Sequence, residues 1–205
     1  MDFSLTADQQ TIREAVLAIC SQFSDDYWLE RDADGEFPVE FYRTMAEAGW
    51  LGIAMPEAYG GSGLGITEAA IMMQAVAEAG GGMTAASCIH GPVFSMEPVS
   101  LFGTEEQKQR MIPPILSGEQ KICFAVTEPN VGLDTTSLKT RAEAVQGGYL
   151  VNGEKIWISG AGDTRWRDRF RDCRRRRIDD AGAVRHGQGG GGVFAVRRHP
   201  GHHHR

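Results

Sequence analysis

An α+β fold is what this chain predicts, a bundle of helices followed by antiparallel strands. Three observations carry that reading. Capping boxes at Thr6-Ala7-Asp8-Gln9 and Thr104-Glu105-Glu106-Gln107 open helical stretches on either side of an Ala- and Met-rich run. After residue 120 the apolar period changes from the helical spacing to alternation. Asn152-Gly153, the strongest short hairpin signal, sits between two apolar runs.

The elements follow in chain order. Thr6 and Gln9 can satisfy free backbone donors, and Ile12, Ala15, Val16, Ile19 and Phe23 then recur as one apolar stripe. A mostly polar stretch, residues 24–36, precedes Pro38. Phe41, Met45 and Ala46 predict a short helix that stops near Gly49. Gly60-Gly61-Ser62-Gly63-Leu64-Gly65 is a loop signal, with Thr67 as the cap of the next helix. Residues 67–79 hold few polar positions, which predicts burial on most sides. A further helical segment covers residues 83–102, interrupted near Pro92 and Pro98. The helix that Thr104 opens must end around Pro113-Pro114, because proline has no N–H to continue the ladder. Residues 1–119 therefore read as a helical bundle.

Beyond it, Ile122-Cys123-Phe124-Ala125-Val126 suits a buried strand. Leu138, Thr140, Ala142 and Ala144 alternate with Lys139, Arg141 and Glu143, the pattern of a half-buried strand that Gln146-Gly147-Gly148 can turn. Tyr149-Leu150-Val151 and Lys155-Ile156-Trp157-Ile158 flank the Asn152-Gly153 turn. Residues 121–164 supply few strands, about the minimum for a sheet that stands alone, so the β domain reads as incomplete.

Composition bounds the function. The 205 residues, 41% hydrophobic and 23% charged, make one full domain or two small ones. No apolar run reaches the ~18–20 residues of a membrane helix. Met1-Asp2-Phe3-Ser4 lacks the basic start of a secretory signal. Cys20, Cys88, Cys123 and Cys173 form no CxxC pair, so neither a disulfide framework nor a zinc site is expected, and a reduced cytoplasmic setting fits best. The net charge of −6 hides a break: residues 1–164 sum to −14 and residues 165–205 to +8. The last 41 residues carry twelve arginines and no lysine, and five of the six histidines. That shift marks a boundary near residue 165.

Familiar catalytic signatures are missing. There is no GxSxG and no GxxxxGK[ST], and the glycine loop at residues 60–65 follows no strand, so it reads as an ordinary turn. His90, the only histidine before residue 186, reads as a packed core residue. The informative segment is Phe124-Ala125-Val126-Thr127-Glu128-Pro129-Asn130-Val131-Gly132-Leu133-Asp134. It is a strand that ends in a Pro- and Gly-bearing loop, either an ordinary β-turn or a place where backbone donors and the Thr127 hydroxyl meet a ligand. Trp157 beside Ser159 carries the same two readings, core packing or a wall against a planar aromatic cofactor.

Gly103-Thr104-Glu105-Glu106-Gln107-Lys108, Leu116-Ser117-Gly118-Glu119, Phe124 to Pro129 and Lys155-Ile156-Trp157-Ile158-Ser159 together resemble the acyl-CoA dehydrogenase family, as does Pro56-Glu57-Ala58-Tyr59-Gly60-Gly61. Order and spacing agree over residues 1 to about 164. The resemblance implies an N-terminal helical domain at residues 1–119, a middle β domain that residues 120–164 supply in part, and FAD bound between these and a C-terminal helical bundle. It implies a flavin-bordering loop made by Phe124, Ala125, Val126, Thr127, Gly132 and Leu133, with Thr127 bonded to the isoalloxazine edge. Trp157, Ile158 and Ser159 would meet the other part of the ring. The implied reaction is α,β-dehydrogenation of an acyl-CoA thioester, with an electron-transferring flavoprotein as acceptor and a homo-oligomeric enzyme. Leu133 stands where many members carry a serine that helps hold the substrate. The family's glutamate base belongs to the C-terminal bundle and Glu128 is not its equivalent, so no catalytic residue is assigned, and no metal.

Residues 165–205 do not continue the family's apolar strands. Eight arginines between Arg165 and Arg177 are not expected in a buried strand, since each unpaired buried charge costs several kcal/mol. The segment admits an RNA-binding tail with Trp166 and Phe170 stacking on bases, a histidine metal cluster, or a shifted reading frame. The absence of lysine and the run Val193-Phe194-Ala195-Val196 favour the last. Disorder is expected in each case. The expected chain is thus a truncated, inactive dehydrogenase; the alternative is a non-catalytic helical module with a nucleic-acid-binding tail.

Overall fold

The computed structural model describes residues 4–146, 148–158 and 176–178. The fold is mostly helical with few strands, and it divides into two compact units. The first takes Met1–Glu97 and Ile112–Glu119, the second Pro98–Met111 and the chain from Gln120 onward.

In the first unit α1 (Ala7–Cys20) begins with the expected capping box. The Gln9 N–H donates to Thr6 Oγ1 (3.2 Å) and the Thr6 N–H to Gln9 Oε1 (3.1 Å). Its buried stripe runs through Val16 and Cys20, with Ile12, Ile19 and Phe23 beside them, whereas Ala15 is exposed. The polar stretch before Pro38 holds a second helix, α2 (Asp25–Asp34), which its composition conceals. Ser24 accepts from the Tyr27 N–H at one end, and Gly35 ends it with φ 68°. Only Trp28 is buried there, its ring 5.1 Å from those of Tyr27 and Phe41. Next, α3 (Val39–Glu47) buries Phe41, Tyr42, Met45 and Ala46 and gives way at Gly49, φ 83°.

The helix after the glycine loop, α4 (Ile66–Glu78), is not capped by Thr67. Gly65 is the capping position, and its N–H donates to Glu68 Oε2 (3.1 Å), so a carboxylate one turn on satisfies this end of the helix with no hydroxyl involved. Glu68 also accepts from Gln9 Nε2 (3.0 Å), tying α4 to α1. Ala69, Ile71, Met72, Ala75 and Val76 are buried, and Ala70, Gln74, Ala77 and Glu78 form the outer stripe. The segment expected to break at Pro92 runs through it as α5 (Gly82–Ser95), because the buried Ala85, Ala86, Ile89 and Val93 hold the turn that proline weakens. The interruption expected near Pro98 does occur, at Met96, before α6 (Glu97–Phe102). Likewise α7 (Glu105–Leu116) passes Pro113 and Pro114, and the Pro113 carbonyl still accepts from the Ser117 N–H (3.0 Å). Proline removes a donor but keeps an acceptor, so the last turn survives. The Thr104–Gln107 box opens α7 as expected.

The strands of the second unit depart further from expectation. Among the described residues they make one antiparallel sheet in the order β1 (Arg141–Val145), β2 (Gly148–Asn152), β3 (Arg176–Ile178). Val145 pairs with Gly148, and Gln146 turns the chain after β1; Gly147 is outside the described residues. Leu138 and Thr140 precede the strand, and Ala142 is exposed. The run Ile122–Val126 forms no named strand among the described residues, although Cys123 within it is an isolated bridge position. Asn152-Gly153 is not a hairpin, since neither residue has the positive φ that such a turn requires. A Cβ at Gly153 would collide with Thr140, so the glycine serves a close approach, and the chain continues alongside Thr127. The partner on the far side of β2 is β3, in which Tyr149 pairs with Ile178 and Val151 with Arg176. Disorder throughout the arginine-rich segment is therefore incorrect for these residues. An edge strand needs only backbone pairing, and charge there discourages further pairing.

Candidate functional site

The glycine loop can be dismissed as a phosphate cradle. The Gly60 N–H donates to Glu57 O, Gly61 to Pro56 O, Ser62 to Gly52 O, Gly63 to Met55 O and Leu64 to Ile53 O, which leaves none of these donors for a ligand. His90 is not a core residue. It is exposed on α5, with its ring 4.3 Å from that of Phe94.

The Phe124–Leu133 segment is both things its sequence allowed. Glu128-Pro129-Asn130-Val131 is a β-turn closed by the Val131 N–H on the Glu128 carbonyl (3.2 Å). Around that turn the chain alternates: Ala125 is buried, Phe124 and Val126 are half-buried, and Thr127, Gly132 and Leu133 are exposed, Leu133 completely. The Ile156 N–H donates to the Thr127 carbonyl (3.0 Å), which lays residues 155–158 beside the loop. Of the second candidate group, Ile158 is half-buried and Trp157 is 86% exposed. Ser159 lies outside the described residues. Trp157 has φ 56°, the only non-glycine residue with positive φ among those described. A bulky side chain in that region is strained, and such strain collects where a ligand uses the side chain it presents.

Sequence reasoning missed what lies beneath. Glu128 is 5% exposed and Lys155 8%. The Glu128 carboxylate accepts from the Lys139 N–H (2.7 Å), the Thr140 N–H (2.9 Å), Thr140 Oγ1 and Lys155 Nζ (2.9 Å). Lys155 Nζ also donates to the Val126 carbonyl (2.9 Å). Burial alone would push the Glu128 carboxyl up; the hydrogen bonds from Thr140, Lys139 and Lys155 outweigh it and hold the group at about 2. A carboxylate held that low is a poor general base at neutral pH, which agrees with leaving Glu128 out of the catalytic set. The sequence signal was slight: two opposite charges 27 residues apart, each beside a short apolar run, Phe124–Val126 and Ile156–Ile158.

Residues 6–119 match the N-terminal domain of acyl-CoA dehydrogenases, more than half of the chain, and residues 123–201 match their middle domain. The chain belongs to the acyl-CoA dehydrogenase family. Members of this family are FAD-dependent oxidoreductases. Among curated relatives, a probable acyl-CoA dehydrogenase of Bacillus subtilis is 37% identical over 163 residues, 78% of this chain and 42% of its own. Among solved structures, the glutaryl-coenzyme A dehydrogenase glutaryl-CoA complex aligns with TM-score 0.71 and 28% identity, over 79% of this chain and 42% of that one. The FAD complex of PigA aligns with TM-score 0.72 and 26% identity, over 79% and 43%. The chain thus spans about two fifths of the length of the dehydrogenases it matches. The middle-domain match continues to residue 201 and Arg176–Ile178 pair with β2, so a foreign RNA-binding tail has no support. No helix among the described residues is long and apolar enough to cross a membrane.

Proposed function

We propose that this chain supplies the N-terminal helical part, residues 1–119, and the flavin-facing wall of the middle β part, from residue 120, of an enzyme that oxidises acyl-CoA thioesters. The observation that carries the proposal is the Ile156–Thr127 hydrogen bond (3.0 Å), which puts an exposed hydroxyl and an exposed, strained indole on adjoining segments. That donor set suits a planar ring with polar edges. Thr127 offers a hydroxyl to the edge, Trp157 a flat apolar face, and Phe124, Ala125, Val126, Gly132, Leu133 and Ile158 border them. Ser159, next along the chain, is a further candidate toward the ring. The flavin, when bound, supplies the hydride acceptor. The chain's own residues orient it and exclude water from one side.

Leu133 presents an apolar, fully exposed side chain at the loop tip. It can neither donate nor accept a hydrogen bond, and it favours an acyl-CoA held there by apolar contact. The proton-abstracting glutamate is read as belonging to the C-terminal part of the relatives, which residues 1–205 do not span. An electron-transferring flavoprotein as acceptor and a homo-oligomer are proposed for the whole enzyme. The β domain is read as incomplete in residues 120–164.

The test is to purify the 205-residue chain, titrate it with FAD, and add acyl-CoA. Weak, saturable flavin uptake without bleaching is expected, because one wall falls short of the ~70–90% burial of tight ligand sites. Flavin that bleaches with substrate would overturn the incomplete-site reading, and no saturable uptake would overturn the cofactor reading.

A further inference from the structure

We propose that the buried Glu128–Lys155 pair is a positioning device that sets the separation of the two flavin-facing segments before any cofactor arrives. The inference rests on the flavin reading above and adds residues that do not themselves face the ring. Its basis is connectivity. Lys155 Nζ reaches the Val126 carbonyl, the peptide just ahead of Thr127, and Lys155 itself lies two residues ahead of Trp157. Its other bond is to Glu128, the residue just after Thr127. One ammonium therefore holds the backbone just ahead of Thr127 and the side chain just after it, while the next residue, Ile156, donates its N–H to the Thr127 carbonyl itself.

Glu128 completes the device by accepting from the Lys139 and Thr140 N–H groups and from Thr140 Oγ1, which anchors the far end of the loop. The loop from residue 128 to residue 139 is thus closed on a single carboxylate, and the 155–158 segment is clipped to the same point. A buried ion pair contributes little net stability compared with an apolar pair of similar volume, and geometric specification is its best-attested use. Here it holds Trp157 in a backbone conformation that the indole would not choose unaided. Preorganised contacts of this kind lower the cost of ordering a site when the ligand binds.

The experiment compares the full 205-residue chain with Lys155→Met, Glu128→Gln and Lys155→Arg. It reads amide hydrogen exchange without flavin and FAD titration to saturation. Lys155→Met is expected to speed exchange at Ile156 by about tenfold or more, with α4 exchange unchanged, and to raise the FAD dissociation constant by a similar factor. Glu128→Gln should move both in the same direction. Lys155→Arg, which keeps the charge, should recover part of each and shift the flavin absorbance band of the saturated protein, the mark of an altered ring environment. A purely structural role would raise exchange but leave the dissociation constant and the saturated spectrum as in the parent chain; that result overturns the proposal. Unchanged exchange at Ile156 overturns it as well. If Lys155→Met does not fold, Glu128→Gln and Lys155→Arg decide by the same two readings. A parent chain that takes up no flavin overturns the cofactor reading and this role with it, whereas parent uptake with unaffected variants overturns the pair's role alone.

Discussion

Glu128 shows how a single carboxylate turns local geometry into a pH response. Its folded value is depressed to about 2 from an ordinary 4.5. The unfolded chain therefore binds a proton there at a higher pH than the folded chain does. Stability from this group is fully present above about pH 4.5 and is lost as pH falls toward 2. The expected outcome is acid loss of amide protection in residues 126–158 across that window, with a shallower slope in Glu128→Gln. Trp157 makes the opposite kind of prediction. Its φ of 56° is one that glycine adopts freely, and the residue is 86% exposed, so little packing would be forfeited. Trp157→Gly should stabilise the flavin-free chain by about 1 kcal/mol in thermal unfolding while weakening flavin uptake. A destabilised variant would show that the indole packs in solution.

At the scale of elements, the aromatic cluster explains a helix that composition hides. Phe41 on α3 meets Phe23 beyond the end of α1 edge-on (5.2 Å, 86°) and Trp28 on α2 (5.1 Å, 72°). Phe41 is fully buried, so Phe41→Ala should cost about 3–5 kcal/mol, read as a lowered denaturation midpoint together with early exchange in α2. The same contacts show what was legible. α1, α3 and α7 could be read from their caps and apolar spacing because those signals lie within a turn or two. α2 could not, because one buried tryptophan, the half-buried Tyr27 and Arg31, and two caps hold a segment whose other side chains face water. The prolines misled for a related reason: Pro92 and Pro113 remove local hydrogen bonds, but buried neighbours on the same helices keep the geometry. Asn152-Gly153 is the sharpest failure, a correct local signal overruled when Gly153 packs on Thr140 and β2 pairs elsewhere. Of the proposed site, Thr127 and Trp157 were named through the family resemblance, and the Glu128–Lys155 pair was not, since nothing local couples residues that far apart.

Across the whole molecule, the two units are woven along the chain and do not simply follow one another. Residues 98–111 group with the unit that begins at Gln120, although residues 112–119 return to the first. A chain ending at residue 119 would keep the first unit's core while leaving residues 98–111 without the segments they group with. In such a fragment, exchange should remain slow in α1, α4 and α5 and become fast in residues 98–111; uniform protection through α7 would contradict the division. The weave also bears on how such a protein could be rearranged in evolution. A crossover at residue 119, which the change from helix to strand would recommend, would part residues 98–111 from the rest of their unit and join them to a stranger. Inheritance of the two parts as one block is the arrangement that this order of segments rewards.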